Sequence, residues 1–322
     1  MKCNLVKTCE RTTHARTSDR RIRPTFACTV LLIVLTACAL SEAARDEELH
    51  TESPPAFGFD WPEGWHDRPV HCHFSLRGTP MVHSFRTEPA FTRRDFLLDY
   101  STRSETGRSE QEIGAEVEWP ISRRLGLIFE IPYVFVDSDD GGPIDSFGNL
   151  TVSPRLLLAE YERFLLAFGL EVETTTGDTD GGIAEDEVAL APSFSAWIDL
   201  GDWWTVNAQS GLEYPAESSD AEFFFRSALI HTFGSGDIGA GDHAHHDHAG
   251  ELSPGLISVI LEADLAVGLS GAEDGDWFAE GIAGVLVGLW DNADMRVGYQ
   301  FPLSRSQDLN NGVTGGLLWH FK

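Results

Sequence analysis

Short stretches in which apolar residues alternate with polar, charged or small ones recur along this chain from about residue 93 to its last residues. Between Glu112 and Trp119, every second residue is apolar or small, and the residues between them are Glu or Gly. Successive side chains of a strand point to opposite faces, so a period of two predicts strands with one apolar and one polar face. A soluble sheet alternates in the same way, so the recurrence of the pattern carries more weight than any single stretch.

Twelve stretches show this pattern, and no helix-length periodic segment separates them. Segments of about ten residues with this alternation are typical of strands that cross an outer membrane. Because open sheet edges are not tolerated in lipid, the pattern predicts an all-β, transmembrane, antiparallel up-and-down β-barrel over residues 93–322, apolar outside and polar inside. The predicted strands are 93–102, 112–120, 125–135, 148–158, 164–174, 186–198, 203–214, 222–233, 256–269, 277–290, 294–302 and 312–321.

The predicted connections alternate between long and short. Outer-membrane barrels have long outer loops and short periplasmic turns, so both ends of the barrel domain are expected in the periplasm. One connection, 234–254, is long yet falls on the periplasmic side, which indicates either an insertion there or a strand count wrong by one. The long connections are 103–111, 136–147 and 175–184, and the short ones are 121–124, 160–163 and 200–202.

The N-terminus has the features of an export signal. Residues 1–23 are basic, and the apolar run 26–40 is too short for a membrane helix but suits a signal-peptide core. Small residues at Ser41 and Ala43 predict a cleaved signal peptide of residues 1–43, whereas the string ending in Cys38 resembles a lipobox and would make that cysteine a lipidated N-terminus. Residues 44–92, rich in Pro, His and charge, are interpreted as a periplasmic segment that forms a plug or a floor.

Charge narrows the choice of partners. The chain holds 51 acidic and 23 basic residues, a formal net charge of −28, and the predicted signal removes more basic than acidic ones. Such a charge argues against nucleic acid and suits a surface in a lipopolysaccharide layer rich in divalent cations. Of five cysteines only Cys72 follows the predicted signal, so no internal disulfide framework is expected. The near-terminal aromatic Phe321 predicts recognition by the outer-membrane insertion machinery, and lipid of the outer membrane is the expected surroundings.

Between residues 112 and 178 the chain resembles the outer-membrane family assigned to the meta-pathway of phenol degradation, loosely called transporters. The family pattern favours Gly-Asp where this chain has Gly148-Asn149, and Pro-Thr-Gly-Asp where it has Thr175-Thr176-Gly177-Asp178. The resemblance implies a barrel of about twelve strands that passes small, partly apolar molecules, and no catalytic residues. The matching strings are Glu116-Val117-Glu118-Trp119-Pro120, Arg124-Leu125-Gly126-Leu127, Glu130-Ile131-Pro132-Tyr133, Phe147-Gly148-Asn149-Leu150 and Thr174-Thr175-Thr176-Gly177-Asp178.

The inward positions of the predicted strands are strongly acidic. Charge that lines a pore sets ion selectivity, so the excess of acids predicts a preference for cations. The alternative is that the acids pair with the arginines and with each other and fill a closed interior. The predicted lumen-lining residues are Asp95, Asp99, Glu112, Glu116, Glu118, Glu130, Glu171, Glu173, Glu187, Glu213, Glu262 and Asp264, with the basic residues Arg155, Arg226 and Arg296.

Two His-rich segments have the residue types of a metal site. Imidazoles and carboxylates within a few residues can bind Zn, Ni or Cu, although a short His-rich tract is also compatible with a solvated polar loop. No cofactor is expected to be required. The first segment comprises His243, His245, His246, Asp247 and His248, and the weaker one His71 and His73, with His66 and His83 nearby in sequence.

An enzyme is not expected, because Ser227 and His231, the one nucleophile and base on a common strand face, would lie about 13 Å apart. The chain contains no nucleophile elbow, P-loop or HExxH string. The sequence therefore favours a channel or transporter of the outer membrane that passes small molecules or cations through an acidic lumen. The alternative is a non-transporting barrel that binds metal or a partner through its His-rich segments.

Overall fold

The structure, a computed structural model, contains thirteen antiparallel strands. It describes residues 65–66, 74–75, 77–139, 141–179, 183–218, 220–234, 254–271, 274–290, 292–304 and 309–321. In these residues, no helix is long and apolar enough to cross a membrane. The strands are β1 (Asp95–Glu105), β2 (Arg108–Pro120), β3 (Leu125–Ser138), β4 (Gly142–Phe147), β5 (Thr151–Tyr161), β6 (Phe164–Glu173), β7 (Ala189–Gly201), β8 (Trp204–Pro215), β9 (Glu222–Phe233), β10 (Ile257–Gly268), β11 (Trp277–Trp290), β12 (Ala293–Pro302) and β13 (Leu309–His320).

The sheet closes on itself. The strands pair in chain order, and β1 also pairs with β13, from Asp95 opposite His320 to Glu105 opposite Leu309. The prediction of a closed, all-β barrel of twelve strands is confirmed, with β4 as one additional strand. We call the end of the barrel where β1 begins and β13 ends the termini end, and the opposite end the loop end.

The additional strand continues β5 toward the loop end. β3 pairs with β5 from Leu125 to Glu130 and with β4 from Tyr133 to Ser138, so β4 and β5 together cover the length of β3. The chain is interrupted at Gly148, where an added Cβ would lie 2.8 Å from the Pro132 side chain, so glycine allows this close approach. The predicted acidic loop 136–147 is therefore largely paired strand, because its Gly and Asp residues concealed a hairpin.

Two further connections test the prediction. The first is shorter than predicted, and the second lies at the predicted end of the barrel. The predicted loop 103–111 is a tight turn between Glu105 and Arg108, and Gly107 supplies the positive φ of 77° that such a turn favours. The long connection between β9 and β10 leaves the barrel at the termini end, as predicted. Since twelve barrel strands are present, its position does not result from a miscount.

The outer face of the barrel is apolar, with aromatic rings near both ends. Trp119, Trp204, Trp290 and Trp319 are exposed near the termini end, as expected of rings at a membrane interface. Trp203, next to Trp204, is not part of this belt, because it has a positive φ of 60° and packs against an apolar cluster inside the barrel.

The outward belt predicts how the barrel responds to charge. Leu261 lies near the middle of β10 and is 55% exposed on the outer face. We expect Leu261→Arg to lower the free energy of unfolding in lipid vesicles by about 2–4 kcal/mol, because a guanidinium at mid-bilayer loses its hydration. Leu303→Arg, beyond the end of β12 and equally exposed, is the matched control and is expected to change it by about 0–1 kcal/mol. Equal effects at both positions would contradict the assignment of the belt.

Candidate functional site

Residues 77–94, which we call the plug, lie inside the barrel. The plug begins at the termini end, where the Thr79 hydroxyl donates to Asp199 at 2.7 Å. It reaches the middle of the lumen at residues 85–87, beside Glu262 of β10, and returns to the termini end, where the Arg93 amide donates to Glu118 at 3.2 Å. The plug therefore enters and leaves the lumen at the same end. Of the two interpretations of this part of the chain, the contacts of the described residues favour a plug rather than a floor.

Glu262 binds the apex of the plug. Its carboxylate accepts hydrogen bonds from the amides of Phe85 at 2.8 Å, Arg86 at 2.9 Å and Thr87 at 2.5 Å, and from the Thr87 hydroxyl at 2.6 Å. A buried segment without ladder partners needs such acceptors, because an unpaired buried amide is costly. One wall carboxylate therefore satisfies three consecutive amides of the plug.

The three predicted lumen arginines bind plug carbonyls. Each is buried, and each also contacts a carboxylate, so none is a free positive charge in an open pore. Arg155 donates to the Pro89 carbonyl at 2.9 Å and to Glu88 at 2.6 Å, Arg226 donates to the Arg86 carbonyl at 3.4 Å and lies 3.4 Å from Asp264, and Arg296 donates to the Ser84 carbonyl and to Asp99 at 2.6 Å.

Ion pairs within and beside the plug complete its attachment. Burial alone would raise the pKa of Glu88, but the Arg155 guanidinium beside it holds that pKa below its usual value. Arg86 of the plug lies 2.7 Å from Glu280 on β11, and Arg103 of β1 lies 2.6 Å from the same carboxylate. Ion pairs thus hold the plug at two places, at Arg86 in the apex and at Glu88 in the limb that returns to the termini end.

Apolar side chains seal the lumen below the apex. One cluster contains Val82 of the plug together with the inward-facing Ile230, Ile260, Leu286 and Leu318 of the wall, all 2% exposed or less. A second contains Met81, Ala90 and Phe91 of the plug with Leu165, Ala167 and Trp197. The expected polar interior is mixed at this end, where these apolar clusters pack as in a soluble core beside buried polar side chains such as Asp95, Glu118 and His320.

The acids of the β2, β3 and β6 wall are arranged differently. Glu112, Glu116, Glu130 and Glu171 face inward, and in the described part of the chain they make no hydrogen bond or salt bridge. Glu116 lies directly opposite Glu130 in the register of β2 and β3. Like charges at directly opposed positions repel, so this wall favours a cation. Glu116 and Glu130 line a narrow cavity of about 30 Å³ beside the plug, with room for only a few water molecules.

The remaining predicted lumen residues are distributed among several environments. Asp95, Asp99, Glu118 and Glu213 are buried on inward positions. Glu173 accepts a hydrogen bond from the Asn149 amide at 3.0 Å.

Glu187 does not lie on a strand; it lies in the connection before β7. Although partial burial works against the charged form, amides of Ser218 and Glu217 donate to this carboxylate and keep its pKa below the usual value. This residue therefore belongs to the loop end rather than to the lumen wall.

The residues of the two predicted metal-binding segments lie outside the described part of the chain, whereas the nearby His83 lies within it. His243, His245, His246, Asp247 and His248 lie outside the described residues, and so do His71 and His73. His83, which was grouped with them by sequence, is buried in the plug and contacts Asp95 of β1.

Several interior residues escaped the sequence analysis. Glu280, Asp294 and His320 have the same parity as the inward residues of their strands, so alternation alone indicates their direction. The plug residues Arg86 and Thr87 gave no such signal, because their segment has no period. Ser227 and His231 do share the outer face of β9, and the His231 ring stacks on Trp204 at a centroid distance of 4.3 Å.

No protein-family model matches the chain, and no curated protein matches it. Among solved structures, the chain is similar to an outer membrane channel from Pseudomonas putida F1, at 13% identity and a TM-score of 0.55, over 74% of this chain and 100% of that one. It is also similar to the NanC porin, at 10% identity and a TM-score of 0.46, over 70% of this chain and 99% of that one. For the KdgM porin the values are 12% and 0.45, over 70% and 99%.

At such low identity the similarity to the Pseudomonas channel shows the fold alone. That fold, a closed antiparallel barrel with an apolar belt, is the fold of outer-membrane β-barrels. The narrower resemblance to the phenol-degradation family is not confirmed by these comparisons.

The Glu262 contacts generate a prediction about the plug. We expect Glu262→Ala to increase hydrogen exchange at residues 85–87 roughly 10- to 100-fold, because hydrogen bonds to a carboxylate contribute about 1.5–3 kcal/mol. Hydrogen-exchange mass spectrometry of the detergent-solubilised barrel measures this directly. Glu217→Ala, at an exposed position after the end of β8, is the control and is expected to leave these residues protected. Unchanged exchange in both variants would mean that Glu262 does not hold the plug.

Proposed function

We propose that this chain forms an outer-membrane channel that its own plug closes, and that it passes cations and small cationic solutes when the plug is displaced. The closed barrel and its apolar belt support a membrane location. The termini end, with its short turns, is assigned to the periplasm, because outer-membrane barrels place short turns on that side.

The preference for cations rests on the difference between paired and unpaired charges in the lumen. Arg226 and Arg296 are neutralised by the wall carboxylates Asp264 and Asp99, whereas Arg155 pairs with Glu88 of the plug and is the one of these three wall arginines that loses its partner when the plug is displaced. The acids Glu112, Glu116, Glu130 and Glu171 have no such partner among the described residues. The uncompensated charge facing the lumen is therefore negative, and such charge admits cations and repels anions.

The way the plug is attached supports a closed state that can open. No strand ladder joins the plug to the barrel in the described residues. Apart from the Phe321 amide, which donates to the Arg94 carbonyl at 2.8 Å, the hydrogen bonds between the plug and the wall involve side chains. Water can replace these hydrogen bonds when the plug leaves, and the sheet itself stays intact. Because the plug enters and leaves at the termini end, it can withdraw without passing through the barrel.

A second candidate function is a non-transporting barrel with a permanently filled lumen. The apolar clusters that join Val82, Met81 and Phe91 to the wall favour it, because their exposure to water would oppose opening. The two candidates differ in whether release of the plug creates a conducting pore.

Single-channel recording in planar bilayers separates these candidates. We expect brief, rare conductance from the full chain and larger, longer openings from Glu262→Ala, since that variant frees the plug apex. In a KCl gradient the reversal potential of the open state is expected on the cation-selective side. Absence of conductance from Glu262→Ala, in barrels that show heat-modifiable migration, would favour the filled barrel instead.

A second variant tests the source of the selectivity. On the Glu262→Ala background, Glu116→Gln combined with Glu130→Gln is expected to move the reversal potential toward zero, because it removes the opposed pair of unpaired charges. Glu217→Gln, which removes one charge at an exposed position after the end of β8, is the control and is expected to leave the reversal potential unchanged. Equal shifts in both would exclude the lumen acids as the selectivity determinant.

A further inference from the structure

Five titratable side chains form one buried chain at the termini end, where the plug returns to the wall. His83 of the plug lies 3.0 Å from Asp95 at the start of β1, and His320 at the end of β13 lies 2.9 Å from the other oxygen of Asp95. The second nitrogen of His320 lies 2.9 Å from Asp294 of β12. Glu118, at the end of β2, lies 3.7 Å from the remaining nitrogen of His83.

The cluster is buried, and one of its carboxylate oxygens has no hydrogen-bond partner among the described residues. The side chains of His83, Asp95 and Glu118 are 5%, 0% and 0% exposed. Glu118 Oε2 accepts the Arg93 amide, but Oε1 is fully buried without a hydrogen-bond partner and faces His83. A buried, unpaired carboxylate oxygen is costly, so its presence beside an imidazole indicates a missing positive partner.

The donor atoms are close enough to share one ion. His83, Asp95 and Glu118 each offer one ligand atom, and these atoms all lie within 4.8 Å of one another. A tetrahedral zinc ion with bonds of about 2.0–2.2 Å needs ligand atoms about 3.3–3.5 Å apart. Asp95 and Glu118 face different nitrogens of the His83 ring, so binding of one ion by all three residues requires that ring to turn until one nitrogen faces both carboxylates.

We propose that His83, Asp95 and Glu118 bind a divalent transition-metal ion of the zinc type. One imidazole and two carboxylates without a thiolate suit such an ion, and a site of three protein ligands leaves one coordination position open. His320 and Asp294 act as outer partners, since the imidazole fixes Asp95 and the second carboxylate fixes the imidazole. Metal sites commonly have such outer partners, which orient the ligands.

The three ligands come from three separate parts of the chain. His83 belongs to the plug, whereas Asp95 and Glu118 belong to the adjacent strands β1 and β2, opposite each other in register. A bound ion therefore attaches the plug to the wall near the termini end, whereas Glu262 holds the plug apex in the middle of the lumen. This site is independent of the His-rich segments and of the channel proposal.

The test uses a background in which the other candidate ligands are removed. In this background His71, His73, His243, His245, His246 and His248 are replaced by Ala in the full chain. Titration of the detergent-solubilised barrel with chelator-buffered Zn²⁺ is expected to show one ion bound per chain. X-ray absorption at the zinc edge is expected to show nitrogen and oxygen ligands only, at about 2.0–2.1 Å.

Single substitutions on that background locate the ion. Glu118→Gln and His83→Ala are expected to weaken Zn²⁺ binding by more than the roughly 10- to 100-fold expected of His320→Gln, which removes an outer partner only. Glu217→Gln, at an exposed position after the end of β8 and at the opposite end of the barrel, is the matched control with unchanged affinity. Heat-modifiable migration checks that each variant forms a barrel.

Two outcomes would overturn the proposal. The first is the absence of stoichiometric Zn²⁺ binding in the background protein. The second is binding that Glu118→Gln and His83→Ala leave unchanged. If both variants fail to form barrels, anomalous diffraction from Zn²⁺-treated crystals of the background protein decides: density among His83, Asp95 and Glu118 supports the site, and density elsewhere or none refutes it.

Discussion

The need to satisfy the polar backbone of a segment that lies inside a barrel without joining its sheet determines the rest of this structure. The plug has no ladder, so its amides and carbonyls depend on wall side chains of suitable charge. Glu262 accepts from three amides, and Arg155, Arg226 and Arg296 donate to three carbonyls. These wall side chains therefore hold the plug in the lumen. Only the charged side chains that do not bind the plug are available to select the solutes that pass.

This division makes the interior asymmetric in two directions. Along the axis, the termini end combines core-like packing around Val82 and Trp197 with buried titratable side chains, whereas ion pairs and hydrogen bonds hold the plug apex in the middle of the lumen. Around the axis, the wall of β9–β12 engages the plug apex through Glu262 and Glu280, whereas Glu112, Glu116, Glu130 and Glu171 of β2, β3 and β6 make no hydrogen bond or salt bridge within the described residues. The same barrel thus combines a tightly packed seat for the plug with a wall of acidic side chains.

Alternation along the chain was sufficient to predict the barrel, and for two strands, 222–233 and 277–290, it also gave the observed ends. It failed at residues 142–147, where Gly and Asp form a paired strand. Alternation could not predict the path of the plug, because residues 77–94 have no period of two from which an inward face could be assigned. The contact between Asp95 and His320 spans 225 residues and arises only from closure of the barrel, which fixes a register that no local pattern encodes.

The plug leads directly into β1, and β1 is the strand whose pairing with β13 completes the cylinder. A segment that passed through the barrel from one end to the other would have to be in place before β1 paired with β13. Closure of the barrel and filling of its lumen would then be coupled. Here both limbs of the plug lie at one opening, so a hairpin-like segment can fold into an already assembled cylinder from that end. The geometry therefore does not require the lumen to be filled before the cylinder closes, and assembly of the barrel and occlusion of its lumen are separable steps.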